Sequence, residues 1–428
     1  MLVISSVVVT ISVAPIVTSI YRPARRFTPY KRRTIQRTRV EQELRVLVGI
    51  HNPRTVPSII NFLEATHPTK RSPVFVFALH LVELTGRASA MMIAHNSRKN
   101  GRAPVNRTQA NSDQIASAFE NYQQQSLGVS AATLTAISPY SSMHEDICDL
   151  AEGKRAALIL LPFHKEQTVD GSMESTNPAF RTINSSVLAN APCSVGILID
   201  RGLGGAANRI TSSTLFNQVS QYVGVLFFGG PDDREALACA CRMAEHPSIC
   251  LTIVRFIEDT TAHLSSRSSS SSLLRGGEAG DTKMLTLTTD EEKERQLDED
   301  YVNQFRLRHA SNESVVYVEK VVRNSEETVA TIRGLDNVYD LFIVGRGQGF
   351  STPLTAGLTD WSECPELGPI GDLLASSDYA ATVTVLVVQQ YVGATPGEGV
   401  GTPDSPGVHL DHYLDDHLRR PQSQGSPF

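Results

Sequence analysis

Leu44-Arg-Val-Leu-Val-Gly-Ile50 leads straight into His51-Asn-Pro-Arg-Thr-Val-Pro57. A short apolar, β-branched run followed by a turn and an early proline reads as a strand entering a helix. Pro57 falls in the first turn of the helix predicted over Val56–Thr66, where its missing N–H costs nothing. The alternation continues downstream. Further strands are predicted at Pro73–Val82, Ser130–Ile137, Ala156–Pro162 and Ser194–Ile199. Helices are predicted at Ser112–Gln125, with Ser112 as N-cap, and at Ser142–Glu152 and Pro178–Asn190. Strands and helices in alternation imply a parallel, doubly wound α/β sheet. The order then recurs, with strands at Tyr222–Phe228, Cys250–Ile257, Ser314–Val322, Asp340–Val344 and Thr382–Val388. Its helices are expected at Asp232–Glu245, Asp290–Leu307 and Ser325–Arg333. First to fourth strand takes about 111 residues in one copy and about 118 in the other, which marks a duplication. The expected organisation is two tandem α/β domains, 44–200 and 219–392, joined by a linker at 201–218. A Ser-rich insertion at 258–289 interrupts the second domain, and the Gly- and Pro-rich tail at 393–428 is expected to be disordered.

Ahead of the first strand, residues 1–21 carry no charge, enough apolar length to span a hydrocarbon core as one transmembrane helix. No basic stretch precedes this run, and Pro15 follows Ser12-Val13-Ala14, so a cleaved signal peptide fits badly. Arg22, Arg25, Arg26, Lys31, Arg32 and Arg33 come next, which makes that side cytoplasmic. Residues 22–43 are therefore expected to form a juxtamembrane segment whose six named cations contact an anionic leaflet. From Arg22 to Arg45 there are nine Lys/Arg against two Glu, although the whole chain has a net charge of −6. A basic collar on an acidic body argues against a nucleic-acid binder, whose positive charge sits on the folded domain. The six cysteines, Cys148, Cys193, Cys239, Cys241, Cys250 and Cys364, form no C-x-x-C pair. That is reduced, cytosolic usage. The expected place is a membrane, either endomembrane or plasma membrane, with most of the chain in the cytosol.

Several blocks resemble the tail of the plant cation/proton exchanger family. They are Arg45-Val-Leu-Val-Gly-Ile-His51 with Asn52-Pro-Arg54, Ala78-Leu-His-Leu-Val-Glu-Leu-Thr-Gly-Arg-Ala-Ser-Ala90, and Met143-His-Glu-Asp-Ile-Cys148. A fourth runs through Leu354-Thr355, Gly357-Leu358, Trp361-Ser-Glu363, Pro365-Glu-Leu-Gly368 and Ile370-Gly-Asp-Leu-Leu-Ala375. Tyr21, Pro23 and Tyr30-Lys-Arg-Arg33 resemble the junction after that family's last membrane helix. The resemblance implies a tail built as tandem universal-stress-protein-like domains, attached to a membrane domain that exchanges K⁺ or Na⁺ for H⁺. It implies a regulatory role in potassium transport and pH homeostasis. Exchange in that family uses buried intramembrane carboxylates, and residues 1–40 contain no Asp or Glu. The chain is thus expected not to transport alone. Its expected partners are the membrane, the antiporter's membrane domain and a second copy of itself.

Candidate sites are few. Gly345-Arg-Gly-Gln-Gly349 follows the fourth strand of the second copy, where an α/β unit binds phosphate. Gly345, Gly347 and Gly349 are degenerate as a phosphate loop, because Gln348 and Leu358 replace the glycine and the hydroxyl that nucleotide-binding stress proteins carry. A tight turn without ligand is the competing reading, and no cofactor is expected. A membrane-anchored or soluble nucleotide-binding stress protein is the alternative function. In the first copy Leu161-Pro-Phe-His-Lys165 has no glycine, and Pro162 lacks an amide donor. His51, His80 and His144 are candidate pH sensors or structural histidines. Ser268, Ser269 and Ser270, beside Arg267, are candidate phosphorylation sites. His409, His412 and His417 lie among aspartates without a defined ligand spacing, so no metal is expected. No nucleophile–base constellation stands out, which argues against an enzyme.

Overall fold

The computed structural model describes residues 33–84, 91–95, 107–168, 172–203, 221–259, 281–335, 338–347, 352–360, 362–376, 379 and 383–391, with side chains of the 281–308 helix described from 292 onward. The expected span at 1–21 and the tail at 393–428 lie outside them. Among the described residues no helix is long and apolar enough to cross a membrane.

The first half runs β1 (Leu44–Ile50), α1 (Val56–Ala65), β2 (Val74–Glu83), β3 (Met91–His95), α2 (Arg107–Gln125), β4 (Val129–Ser138), α3 (Met143–Lys154) and β5 (Leu158–Pro162). It closes with β6 (Lys165–Gln167), β7 (Met173–Ser175), α4 (Pro178–Asn190) and β8 (Ser194–Ile199). The second half runs β9 (Gln221–Phe227), α5 (Pro231–Met243), β10 (Ile249–Glu258), α6 (Asp281–Arg308) and β11 (Val315–Val322). It ends with α7 (Ser325–Arg333), β12 (Leu341–Gly345), α8 (Gly368–Ala375) and β13 (Thr384–Gln389). The strands of the halves are ordered β4-β2-β1-β5-β8 and β11-β10-β9-β12-β13, so each half repeats one doubly wound order. Neighbours within these two five-strand orders pair in parallel. Such strands are covered on both faces, which is why they read as apolar runs rather than as alternating ones.

The halves are not separate bodies. β8 pairs antiparallel with β13, with Ile197 opposite Val387, and the result is a single sheet of eleven strands. Every residue of β8 is buried, and so is all of β13 except Gln389. Left unpaired, two such apolar strands would each offer an open edge for aggregation, and pairing them removes both edges. The two side-chain layers also run through both halves. One holds Val46, Val48, Phe62 and Phe119 together with Phe227, Leu237 and Phe305. The other holds Leu47, Ile147 and Ile197 together with Leu226, Phe342 and Leu374.

Four local expectations are corrected. Ser112 does not cap α2, which starts earlier, at Arg107. It lies inside that helix, buried, and donates to the Thr108 carbonyl (3.1 Å). α6 begins at Asp281, inside the expected insertion, rather than at Asp290. β3 is an unexpected antiparallel edge beside β4. α8 was hidden by a Gly-Pro start that reads as a loop. Gly368 there has φ +74, and a Cβ would lie 2.9 Å from the Arg346 carbonyl carbon, so only glycine permits the helix to start against β12.

Candidate functional site

α5 is the unusual element. It starts Pro231-Asp-Asp-Arg-Glu235, four consecutive charges, and all four are buried, as is Arg242 two turns later. Buried charges persist only where other groups answer them. Asp233 sits beyond the carboxyl ends of β9 and β12, at the point where the strand order of the second half reverses. Its carboxylate accepts from the Phe228 amide (2.6 Å), the Gly229 amide (2.9 Å) and the Gly345 amide (2.8 Å). Burial pushes the carboxyl up to about 7, while these three amides pull it down. Asp298 of α6 accepts from the Gly230 amide (2.9 Å) and from Arg234, whose other arm reaches Glu294 (2.7 Å). The amides that an anion would meet at this switch point are therefore engaged by the chain's own carboxylates.

The remaining charges of α5 hold the end of the basic segment. Glu235 accepts from the Ile35 amide (2.5 Å) and the Gln36 amide (3.1 Å). Burial raises its carboxyl against the pull of Ser194, those two amides and Gln390. Arg242 donates to Ser72 Oγ (3.1 Å) and to the Arg39 carbonyl (3.1 Å). The Ser194 amide at the start of β8 donates to the Arg33 carbonyl (2.9 Å). Arg33 itself donates to the Pro192 carbonyl (3.2 Å), the Tyr391 hydroxyl (3.0 Å) and Glu152 (3.3 Å), with its guanidinium 5.1 Å from the Tyr391 ring centre. Residues 33–42 are thus gripped at both ends by groups from both halves of the sheet. The arrangement offers no nucleophile; its chemistry is anchoring.

The sequence-predicted residues scatter around this anchor. Gly345 ends β12, and a Cβ there would lie 2.6 Å from the Asp233 amide nitrogen, so the glycine lets α5 approach the strand end. Gly347 has φ +71 and faces open space, while Gly349 lies outside the described residues. His51 stacks on Phe180, ring centres 3.9 Å apart, with both ring nitrogens buried and unpartnered. Burial, reinforced by His80, lowers its pKa to about 3, so it is neutral at physiological pH. His80 Nδ1 shares a 2.8 Å hydrogen bond with Ser112 Oγ. His144 is half-buried in the first turn of α3. Ser268, Ser269 and Ser270 lie outside the described residues, as do Arg22, Arg25, Arg26, Lys31 and Arg32. Of the six cations expected at the leaflet, only Arg33 is among the described residues, and its guanidinium bonds to Pro192, Tyr391 and Glu152 of its own chain. The charged run opening α5 is not among the candidate sites that the sequence pattern singles out. Its signal in the sequence is four charges directly after Gly229-Gly230-Pro231 at the end of a strand, the place where a parallel sheet collects polar groups.

Comparison with known proteins accords with this architecture. A family model described as "Plant cation/H(+) antiporter domain" matches residues 76–203, and "Plant cation/H(+) antiporter, C-terminal domain" matches residues 220–389. Cation/H(+) antiporter 15 of Arabidopsis thaliana is 60% identical over 411 residues, covering 95% of this chain and 48% of that protein. Cation/H(+) antiporter 23, chloroplastic, of the same plant is 43% identical over 391 residues, 91% of this chain and 43% of its own. Cation/H(+) symporter 13, again from Arabidopsis thaliana, is 39% identical over 377 residues, 88% of this chain and 41% of that protein. The chain thus spans less than half the length of these relatives. The crystal structure of a universal stress protein from Archaeoglobus fulgidus DSM 4304 aligns with a TM-score of 0.38 and 11% identity, over 81% of this chain and 96% of that one. So loose a likeness leaves the fold resting on the strand order itself. The six cysteines are all free. With two models of one family meeting the two halves of the sheet in turn, the chain belongs to the plant cation/H(+) antiporter family.

Proposed function

We propose that this chain is the cytosolic regulatory region of a monovalent cation/proton antiporter, acting in K⁺ or Na⁺ exchange and pH homeostasis, and that it carries no ion by itself. The observation that supports the reading is the grip on residues 33–42 by Glu235, Arg242, the start of β8 and Tyr391 just past β13. This segment follows the apolar run at 1–21 in the sequence. A segment docked on the folded body and lying between it and a membrane span in the sequence lets a change in one bias the conformations of the other. A carrier also needs a carboxylate exposed in turn to ion and proton. Asp233, Glu235 and Asp298 are instead occupied by backbone amides. The membrane domain of the transporter is the proposed partner, with an anionic leaflet beside it and a second copy of the chain as a further partner.

The test places this chain in the position of the matching region of Cation/H(+) antiporter 15 and reads cation-driven proton flux in proteoliposomes. The chain alone is expected to give no flux. The chimera is expected to exchange, and Glu235→Ala within it to change the rate or its pH dependence. The direction of proton movement separates antiport from symport. A Glu235→Ala chimera indistinguishable from its parent would remove the support for regulation through the clamp.

A further inference from the structure

Across the β8–β13 seam, the loop before α8 meets the end of β5. His164 follows β5 in the first half, whereas Cys364 and Glu366 belong to the second half. All three are buried, at 3%, 2% and 5% exposure. One imidazole nitrogen, the Cys364 sulfur and one Glu366 oxygen lie within 4.8 Å of one another. His164 Nδ1 stands 3.5 Å from Glu366 Oε1, and neither atom has a hydrogen-bond partner. A buried polar atom without a partner is costly, and two of them aimed at one spot, beside a thiol, call for a missing group.

We propose that His164, Cys364 and Glu366 form a binding site for a zinc-class divalent cation that staples the two halves of the sheet together. Nitrogen, sulfur and carboxylate oxygen in one set are the donors that Zn²⁺ takes, whereas Mg²⁺ and Ca²⁺ take oxygen. Metal–ligand bonds of about 2.0–2.3 Å bring such donors closer than they stand here, by about 1 Å, which side-chain rotation supplies. The thiol gives its proton to solvent as the sulfur takes the metal. Thiolate and carboxylate together then balance the two positive charges of the ion. The other oxygen of Glu366 is already fixed by Arg181, at 3.1 Å from Nη2 and 3.3 Å from Nε. Arg181 also donates to the Glu363 carbonyl (2.7 Å), and Asp372 accepts from the Cys364 amide (2.8 Å). An outer sphere of this kind orients the ligands before the metal arrives. Three protein donors leave a fourth position for water.

The experiment uses the whole chain, stripped of metal with a chelator and titrated with Co²⁺ and then Zn²⁺. One Co²⁺ per chain is expected, with a thiolate-to-cobalt charge-transfer band and the d–d bands of a four-coordinate site, both displaced by Zn²⁺. Cys364→Ser should abolish the charge-transfer band. Cys364→Ser and His164→Gln should each weaken zinc binding by more than the ~100-fold that loss of an outer-sphere partner costs. Circular dichroism of the metal-free variants should match the parent. If His164→Gln does not fold, the band in Cys364→Ser decides alone. The combined His409→Ala, His412→Ala and His417→Ala variant should bind as the parent does. Absence of saturable binding would overturn the site and leave a plain buried His–Glu contact. So would a charge-transfer band that survives Cys364→Ser, or binding that disappears with the tail histidines.

Discussion

Asp233 shows how one side chain can close a site. Its carboxylate gathers amides from the end of β9 and the end of β12. With burial holding the carboxyl up to about 7, the folded chain keeps a proton that the unfolded chain has already released at that pH. This group therefore favours the folded state in acid, and that advantage is lost as pH rises from the ordinary carboxylate range through about 7. Asp233→Asn removes the titration. Urea unfolding of parent and variant should show the parent's relative stability falling between about pH 4 and about pH 7. A pH-independent difference would show that Asp233 stays ionised throughout. Gly345 carries the complementary prediction. Gly345→Ala drives a methyl group against the backbone of Asp233 and should cost about 1–3 kcal/mol in unfolding free energy, the usual penalty for overpacking. Calorimetry with ATP should give no heat in either parent or variant, since the Gly345 amide is already bonded. Heat that vanishes in Gly345→Ala would restore the nucleotide-binding reading.

Among elements, the β8–β13 pair carries the most consequence. Both strands are apolar along nearly their whole length, and each is the fifth strand of its half. Because the sheet and both side-chain layers cross this seam, the halves should lose structure together. Val387→Asp places a charge at the seam and should cost about 3–5 kcal/mol, as for an uncompensated buried charge. Circular dichroism and limited proteolysis should report one shared transition, lowered in the variant. Two separated transitions would mean that the halves are independent. The other telling element is α5, which packs on β9, β12 and β13 with charges where a buried helix ordinarily shows apolar side chains. Its composition looks like that of an exposed helix, and its burial follows from the amides and arms that converge on it.

At the scale of the molecule, much of the fold was legible along the chain. Every predicted strand is present, with each end within two residues of its expected place. The duplication seen in the spacing is the repeated strand order of the two halves. The clamp on residues 33–42 was not legible, and neither was the His164, Cys364 and Glu366 cluster. A run of apolar residues of strand length, bounded by turns, is a local property, so the sequence by itself determined the α/β class, the repeat and the boundaries of the predicted strands. Only the tertiary structure decided that β8 and β13 join the halves and that the charges of α5 lie inside. Ile35, Ser72 and Gly345, which answer Glu235, Arg242 and Asp233, stand 200, 170 and 112 residues away along the chain. Nothing in a side chain's own neighbourhood in sequence encodes a partner that only folding brings within hydrogen-bond reach.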